Sequence, residues 1–155
     1  MARMSKAEAK PFAVLDSNVI VYAMADDVSG GQYHQPCLQL VEKGLKGELD
    51  YLLAVNPVIV VEVFSALRRI LSCNDAESRV SLLLKSRRIV FLPISKEECQ
   101  RAIQWAKEKN IPVNDALIGA NAVEHAQLIY TVDEDHFGKL GEFGVKLINP
   151  AKETW

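Results

Sequence analysis

Short apolar runs alternate with stretches of helical periodicity along this chain. The first run, Phe12-Ala13-Val14-Leu15, stops at Asp16-Ser17-Asn18, the pattern of a buried strand that feeds a helix start. A helix is expected over 18–25 and a loop at Val28-Ser29-Gly30-Gly31. A second helix is expected over 35–46, where Leu38, Val41 and Leu45 share a face and Gly47 ends it. Residues 51–55 read as the second strand. Asn56-Pro57 then supply an N-cap and a first-turn proline for a helix to about 71. Asp75 is the expected cap of a helix running to about 85, and the third strand covers 89–94. Ser95 with Glu98 three residues on is a capping box that opens a helix to about 109. Ile111-Pro112-Val113 is a connector, and Asn114 or Asp115 caps a helix ending near 126. Strands four and five fall at 128–132 and 145–148.

Apolar strands separated by helices imply an α/β fold whose parallel sheet is covered on both faces. Right-handed crossovers make it doubly wound, with about five strands in the order 3-2-1-4-5. The switch point then lies between strands one and four, and ligands bind beyond the carboxyl ends of the strands there. Repeats, low-complexity tracts and linkers are absent from the 155 residues, so the expectation is one domain over 1–155 with 1–10 a frayed lead-in.

Composition narrows the partners. Eighteen Lys+Arg against twenty Asp+Glu leave a net charge of −2, which argues against coating nucleic acid by bulk charge but allows a local basic patch. Hydrophobic residues at 49% and charged ones at 25% exclude a disordered or fibrous chain. Three scattered cysteines, Cys37, Cys73 and Cys99, without a CxxC pair, support neither a disulfide framework nor structural zinc. They read as small, mostly buried thiols of a cytoplasmic protein. The apolar run at 12–15 is too short for a signal peptide, and Glu62 interrupts the one at 57–71, so no membrane association is expected.

The candidate chemistry lies in the carboxylates. Asp16 follows strand one and Asp133 follows strand four, which places both at the switch point. Glu62 has Val58, Ile59, Ser65 and Ala66 around it on an apolar helix, where an ionised carboxylate costs several kcal/mol unless something pairs with it. Asp115 stands at the start of the helix that leads into strand four, and that start must lie at the carboxyl edge. Four acids from four segments would repel one another, and a divalent cation removes the conflict. Hard oxygen donors select Mg²⁺ or Mn²⁺ over zinc. Such a site orients and activates water and neutralises phosphate charge, which suits phosphodiester hydrolysis.

Leu15-Asp16-Ser17-Asn18-Val19, Glu62 in its apolar helix, Asn114-Asp115-Ala116-Leu117-Ile118 and Thr131-Val132-Asp133-Glu134-Asp135 together resemble the PIN-domain ribonucleases. Length and element order are most similar to the VapC-type toxins of toxin–antitoxin pairs. The resemblance implies a Rossmann-like three-layer α/β/α PIN fold and a Mg²⁺- or Mn²⁺-dependent endoribonuclease acting on single-stranded or structured RNA. It implies Asp16, Glu62, Asp115 and Asp133 as metal-binding carboxylates, with Asn18, Thr131 and Ser17 in support and Asp135 as an acid that assists or replaces Asp133. It also implies a homodimer and an antitoxin partner. The chain departs from the pattern at Ser17, where Thr is usual, and at His136, which separates Asp135 from Phe137.

Arg68, Arg69, Arg79, Lys85, Arg87 and Arg88 concentrate in the middle third, as a solvated face or as a rim that tracks RNA phosphates, with Arg68, Arg69, Arg87 and Arg88 the candidates for contact. Tyr22, Tyr33 and Trp105 suit core packing better than base stacking. His34 and His125 read as structural or exposed, while His136 lies near two acids. A Mg²⁺-dependent phosphatase of the haloacid dehalogenase kind is the rival enzyme; it needs a second Asp where Asn18 stands. A phospho-receiver needs an acceptor Asp after strand three, where Leu92-Pro93-Ile94 offers none. A PIN-like module that binds RNA or protein without catalysis is the third alternative.

Overall fold

A computed structural model describes residues 11–25, 31–126 and 128–153. The expected lead-in and most of the expected loop at 28–31 lie outside them. Five strands form one sheet in the order β3-β2-β1-β4-β5: β1 (Phe12–Leu15), β2 (Leu52–Val55), β3 (Ile89–Phe91), β4 (Leu128–Tyr130) and β5 (Lys146–Ile148). All four pairings are parallel. Val14 sits at the centre, registered with Ala54 on one side and Ile129 on the other. Ala13, Val14 and Leu15 are fully buried, because a central parallel strand is covered on both faces. Burying side chains such as Leu15, Leu53 and Ile129 contributes about 1.5–3 kcal/mol each.

Seven helices flank the described part of the sheet: α1 (Ser17–Met24), α2 (His34–Lys46), α3 (Pro57–Leu67), α4 (Cys73–Lys85), α5 (Lys96–Lys109), α6 (Val113–His125) and α7 (Glu134–Gly138). α1 packs on α2 and α3, while α6 packs on α5, α7, β1 and β4. Asn56 accepts the Ile59 N–H at 3.0 Å and starts α3 as its cap. The Ser95–Glu98 capping box starts α5. Gly47 ends α2 at φ 74°, a conformation that favours glycine.

Several expected boundaries move, each for a local reason. α3 ends at Leu67, and 68–71 follow as a turn held by the Ile70 and Leu71 N–H groups on the Leu67 carbonyl. Ser72 rather than Asp75 caps α4, its hydroxyl accepting the Asp75 N–H at 3.1 Å. β3 stops at Phe91, two residues before Pro93, which has no N–H to donate. Neither Asn114 nor Asp115 caps α6: the extended Pro112 precedes it and both side chains lie in its first turn. α7 was not anticipated, since five residues are too few to show a period. Of the thiols, Cys37 is buried as expected, whereas Cys73 and Cys99 are exposed in the first turns of α4 and α5. Among the described residues no helix is long and apolar enough to cross a membrane.

Candidate active site

Because the strands are parallel, β1, β2 and β4 all end at one edge of the sheet, and α1, α3 and α7 all begin there. α6 begins there too, since it leads back to the start of β4. Asp16 ends β1 and is 3% exposed. Its N–H donates to the Tyr130 carbonyl at 2.9 Å, which locks the residue against the end of β4. Its Oδ1 accepts the Ser17 N–H at 2.8 Å and caps α1, while Oδ2 accepts the Thr131 hydroxyl at 2.8 Å. Thr131 Oγ1 in turn accepts the Asn18 amide at 3.3 Å and the Asp133 N–H at 3.0 Å. Asn18 Oδ1 accepts the Val132 N–H at 3.4 Å. Asn18 and Thr131 thus tie the first turn of α1 to the end of β4, across the switch point.

Asp133 caps α7, its Oδ1 accepting the His136 N–H at 3.4 Å. This turn brings His136 Nδ1 to 3.1 Å from Asp133 Oδ2 and to 2.7 Å from Asp115 Oδ2 on α6. Glu62 enters from α3, and the Asn114 amide donates to its Oε2 at 3.5 Å. Its Oε1 is buried without a hydrogen-bond partner among the described residues. An unpaired buried carboxylate oxygen is a free ligand for a cation, and the surrounding donors are predominantly the hard oxygens that Mg²⁺ and Mn²⁺ take.

The charges feel one another. Burial pushes the Asp16 carboxyl up to about 7; the Thr131 hydroxyl and Ser17 N–H oppose this, and the charges of Asp115 and Glu62 add to it. Burial also raises Glu62, against the Asn114 amide and Ser17 hydroxyl and with the help of Asp115. Asp115 is raised by burial and by Asp133, and His136 holds part of that rise back. Asp16, Glu62, Asp115 and Asp133 therefore form one coupled electrostatic group, and helix starts at this edge favour the negative charge.

Other candidates separate from this group. Asp135 is exposed in the first turn of α7 and, like Asp16 and Glu62, lies outside the tight cluster of Asp115, Asp133 and His136. Arg68 and Arg69 are exposed just past α3, about 9 Å along the helix axis from Glu62. Arg68 lies over the Phe64 ring, 5.9 Å from its centroid. Arg87 and Arg88 directly precede β3, at the amino edge of the sheet and away from the acids. Arg88 extends over Gly47, where a Cβ would meet its guanidinium. Arg79 donates to the Met24 carbonyl and ties α4 to the end of α1, while Lys85 is exposed at the end of α4. α3 starts at the carboxyl edge and runs away from it, so Arg68 and Arg69 also lie beyond its far end rather than at the crevice. Trp105 is buried and stacks on Phe143 at 4.3 Å, Tyr22 pairs with Tyr33 at 4.9 Å, and His34 bonds the Tyr22 carbonyl at 2.8 Å.

Two features escaped the sequence. Asn114 meets Glu62 across 52 residues, and nothing local signals that contact. The placement of His136 against Asp133 follows from the i,i+3 spacing of a capped turn, but its contact with Asp115 is long-range. The rival enzymes find no footing in this arrangement. The Asn18 amide is engaged with Thr131 and Val132 where a dehalogenase-type phosphatase needs a free acid. The position after β3 is the buried Leu92.

Among curated protein sequences none matches the chain. Solved structures do. The VapBC2 complex of Rickettsia felis bound to a promoter DNA fragment aligns with a TM-score of 0.65 and 18% identity, over 89% of this chain and 98% of the other. The sarcin-ricin loop cleaving toxin VapC20 of Mycobacterium tuberculosis aligns with a TM-score of 0.65 and 15% identity, over 81% and 93%. FitAcB of Neisseria gonorrhoeae aligns with a TM-score of 0.63 and 20% identity, over 91% and 99%. At these identities the likeness establishes the fold. The sequence profile of the PIN domain matches residues 13–142, most of the chain and all four converging acids. The chain belongs to the PIN domain family.

Proposed function

We propose that this chain is an endoribonuclease of the VapC toxin type that hydrolyses RNA phosphodiester bonds with Mg²⁺ or Mn²⁺. The observation that carries the reading is the group of mutually repelling acids, with a buried Glu62 oxygen that no donor among the described residues satisfies. Asp16, Glu62, Asp115 and Asp133 would hold the cation. When bound, it supplies a more acidic water and neutralises charge that builds on the phosphate. The chain's own residues do the rest. Thr131 and the Ser17 N–H fix the two oxygens of Asp16, and Asn18 keeps Thr131 in place. The Asn114 amide steadies Glu62. Arg68 and Arg69 would contact RNA only along a strand that runs beyond the crevice past the end of α3, and Asp135 would serve as a secondary acid. The VapC20 neighbour is a toxin that cleaves the sarcin-ricin loop, and a neighbour from Klebsiella pneumoniae is a toxin–antitoxin complex, which favours RNA as substrate and an antitoxin as partner here. A homodimer in the cytoplasm completes the proposal.

The test is RNA cleavage by purified protein with Mg²⁺ or Mn²⁺, beside an Asp16→Asn variant and an EDTA control. Metal-dependent fragments that fall at least about a hundredfold in the variant are expected. Cleavage that persists in EDTA and in the variant at the wild-type rate overturns the proposal.

A further inference from the structure

His136 stands where three ligand atoms converge: one each from His136, Asp115 and Asp133, all within 4.8 Å of one another. The ring is not a loose surface group. The His136 backbone N–H donates to Asp133 Oδ1, and the next residue, Phe137, is fully buried and anchors α7. Neighbouring ligands of a six-coordinate ion with bonds of about 2.1 Å stand roughly 3 Å apart. The imidazole nitrogen is 2.7 Å from one carboxylate oxygen and 3.1 Å from the other, which is that spacing. Nδ1 thus points at the place where a cation shared by Asp115 and Asp133 would sit. As the Nε2–H tautomer, the neutral ring presents a lone pair there without moving.

We infer that His136 Nδ1 is a metal ligand beside Asp115 and Asp133, and that this nitrogen biases the centre toward Mn²⁺ over Mg²⁺. The inference rests on the metal-dependent reading above and goes beyond it, because an all-carboxylate site accepts either ion. Carboxylate and water suit Mg²⁺, which keeps most of its hydration shell. Imidazole is a softer donor that first-row transition ions bind and Mg²⁺ avoids. One nitrogen on the ion changes the selectivity of the centre while the acids supply the bulk of its affinity. The competing role for the same geometry is an internal counter-ion, in which a ring N–H bridges the two carboxylates and a metal must displace it. That role has the opposite consequence: removing the ring would strengthen metal binding.

The experiment loads the full chain with Mn²⁺ and records electron spin echo modulation from directly bound nitrogen. Titration calorimetry gives Mn²⁺ and Mg²⁺ affinities for the wild type, His136→Gln, His136→Ala and Asp115→Asn. Nitrogen modulation is expected in the wild type and lost in His136→Gln, with Mn²⁺ affinity down about tenfold and Mg²⁺ affinity changed less than about threefold. His34 and His125 are intact in that variant, so the loss assigns the nitrogen. Wild-type protein that binds Mn²⁺ through Asp115 but shows no nitrogen modulation overturns the inference and leaves the metal-dependent reading standing. Equal or tighter Mn²⁺ binding in both His136 variants does the same and assigns the ring as a counter-ion. Absence of Mn²⁺ binding to the wild type, or undiminished binding in Asp115→Asn, overturns both.

Discussion

Asp16 and Glu98 each expose only 3% of their surface, yet their carboxyls shift in opposite directions. Glu98 accepts the Asn121 amide at 2.7 Å on one oxygen and the Ser95 N–H at 3.1 Å on the other, with His125 at 3.5 Å. Asn121 also donates to the Pro93 carbonyl and accepts from Asn56, so the network stitches α3, α5 and α6 together. Burial alone would raise the Glu98 carboxyl, but these donors and His125 outweigh it and hold it below its ordinary range. Asp16 has two donors as well. For Asp16 desolvation outweighs those donors, Asp115 and Glu62 add negative charge, and its carboxyl rises to about 7. A buried acid among donors and a histidine is structure. A buried acid among other acids is a site waiting for a cation.

Removing an acid from each region separates the two. Asp115→Asn should lower metal-dependent RNA cleavage by about a thousandfold, roughly 4 kcal/mol of barrier, and leave the urea midpoint in EDTA unchanged or higher. Glu98→Ala should do the reverse. It strands the Asn121 amide and opens the α5 cap, at a cost of about 3 kcal/mol in urea unfolding, with cleavage at 20 °C retained. Loss of fold in the first variant, or loss of cleavage without loss of stability in the second, would merge the two regions into one.

The same two acids should bend the pH–stability curve in opposite senses. Asp16 has an unfolded value near 3.8 and a folded value of about 7. Below the lower value both states are protonated and nothing is lost. As pH rises between the two values the unfolded chain ionises first, so metal-free stability declines, by about 2 kcal/mol once the crevice relaxes. Glu98 is held low when folded, so its contribution is present above its unfolded value of 4.5 and fades as pH falls through the folded one. Thermal melts in EDTA across pH 3–8 should show both limbs. Asp16→Asn should flatten the neutral limb, as should saturating Mn²⁺. A neutral limb that survives in Asp16→Asn would assign it to another group.

The sheet was legible because its strands are buried on both faces and read as unbroken apolar runs between caps; Phe12–Leu15 ending in Asp16 is the clearest case. The gathering of Asp16, Glu62, Asp115 and Asp133 was legible for the same reason. A parallel sheet puts every strand end on one edge, so topology alone carries residues 117 positions apart to one crevice. Contacts between side chains were not legible. Glu98 was visible only as half of a capping box, since its partner Asn121 is 23 residues away on another helix. Arg68 and Arg69 follow Glu62 closely in sequence, but α3 carries them away from the crevice, and Arg87 and Arg88 stand at the amino edge before β3. Composition marks a basic stretch, while only the fold decides which edge it serves.

Glu62→Gln gives the smallest effect and the finest discrimination. The substitution keeps shape and the oxygen that the Asn114 amide reaches, and removes a charge that burial and Asp115 both oppose. If Glu62 faces the crevice only as a ligand, stability in EDTA should rise by up to about 1 kcal/mol, because the variant no longer holds a disfavoured charge. The midpoint gained on adding Mn²⁺ should shrink in the same variant, since one oxygen donor is gone. If Glu62 instead belonged with Glu98 as a structural acid, Gln would lower stability in EDTA and leave the Mn²⁺ gain intact. The buried Oε1 decides the expectation: an oxygen with no partner among the described residues has nothing to lose when its charge is removed.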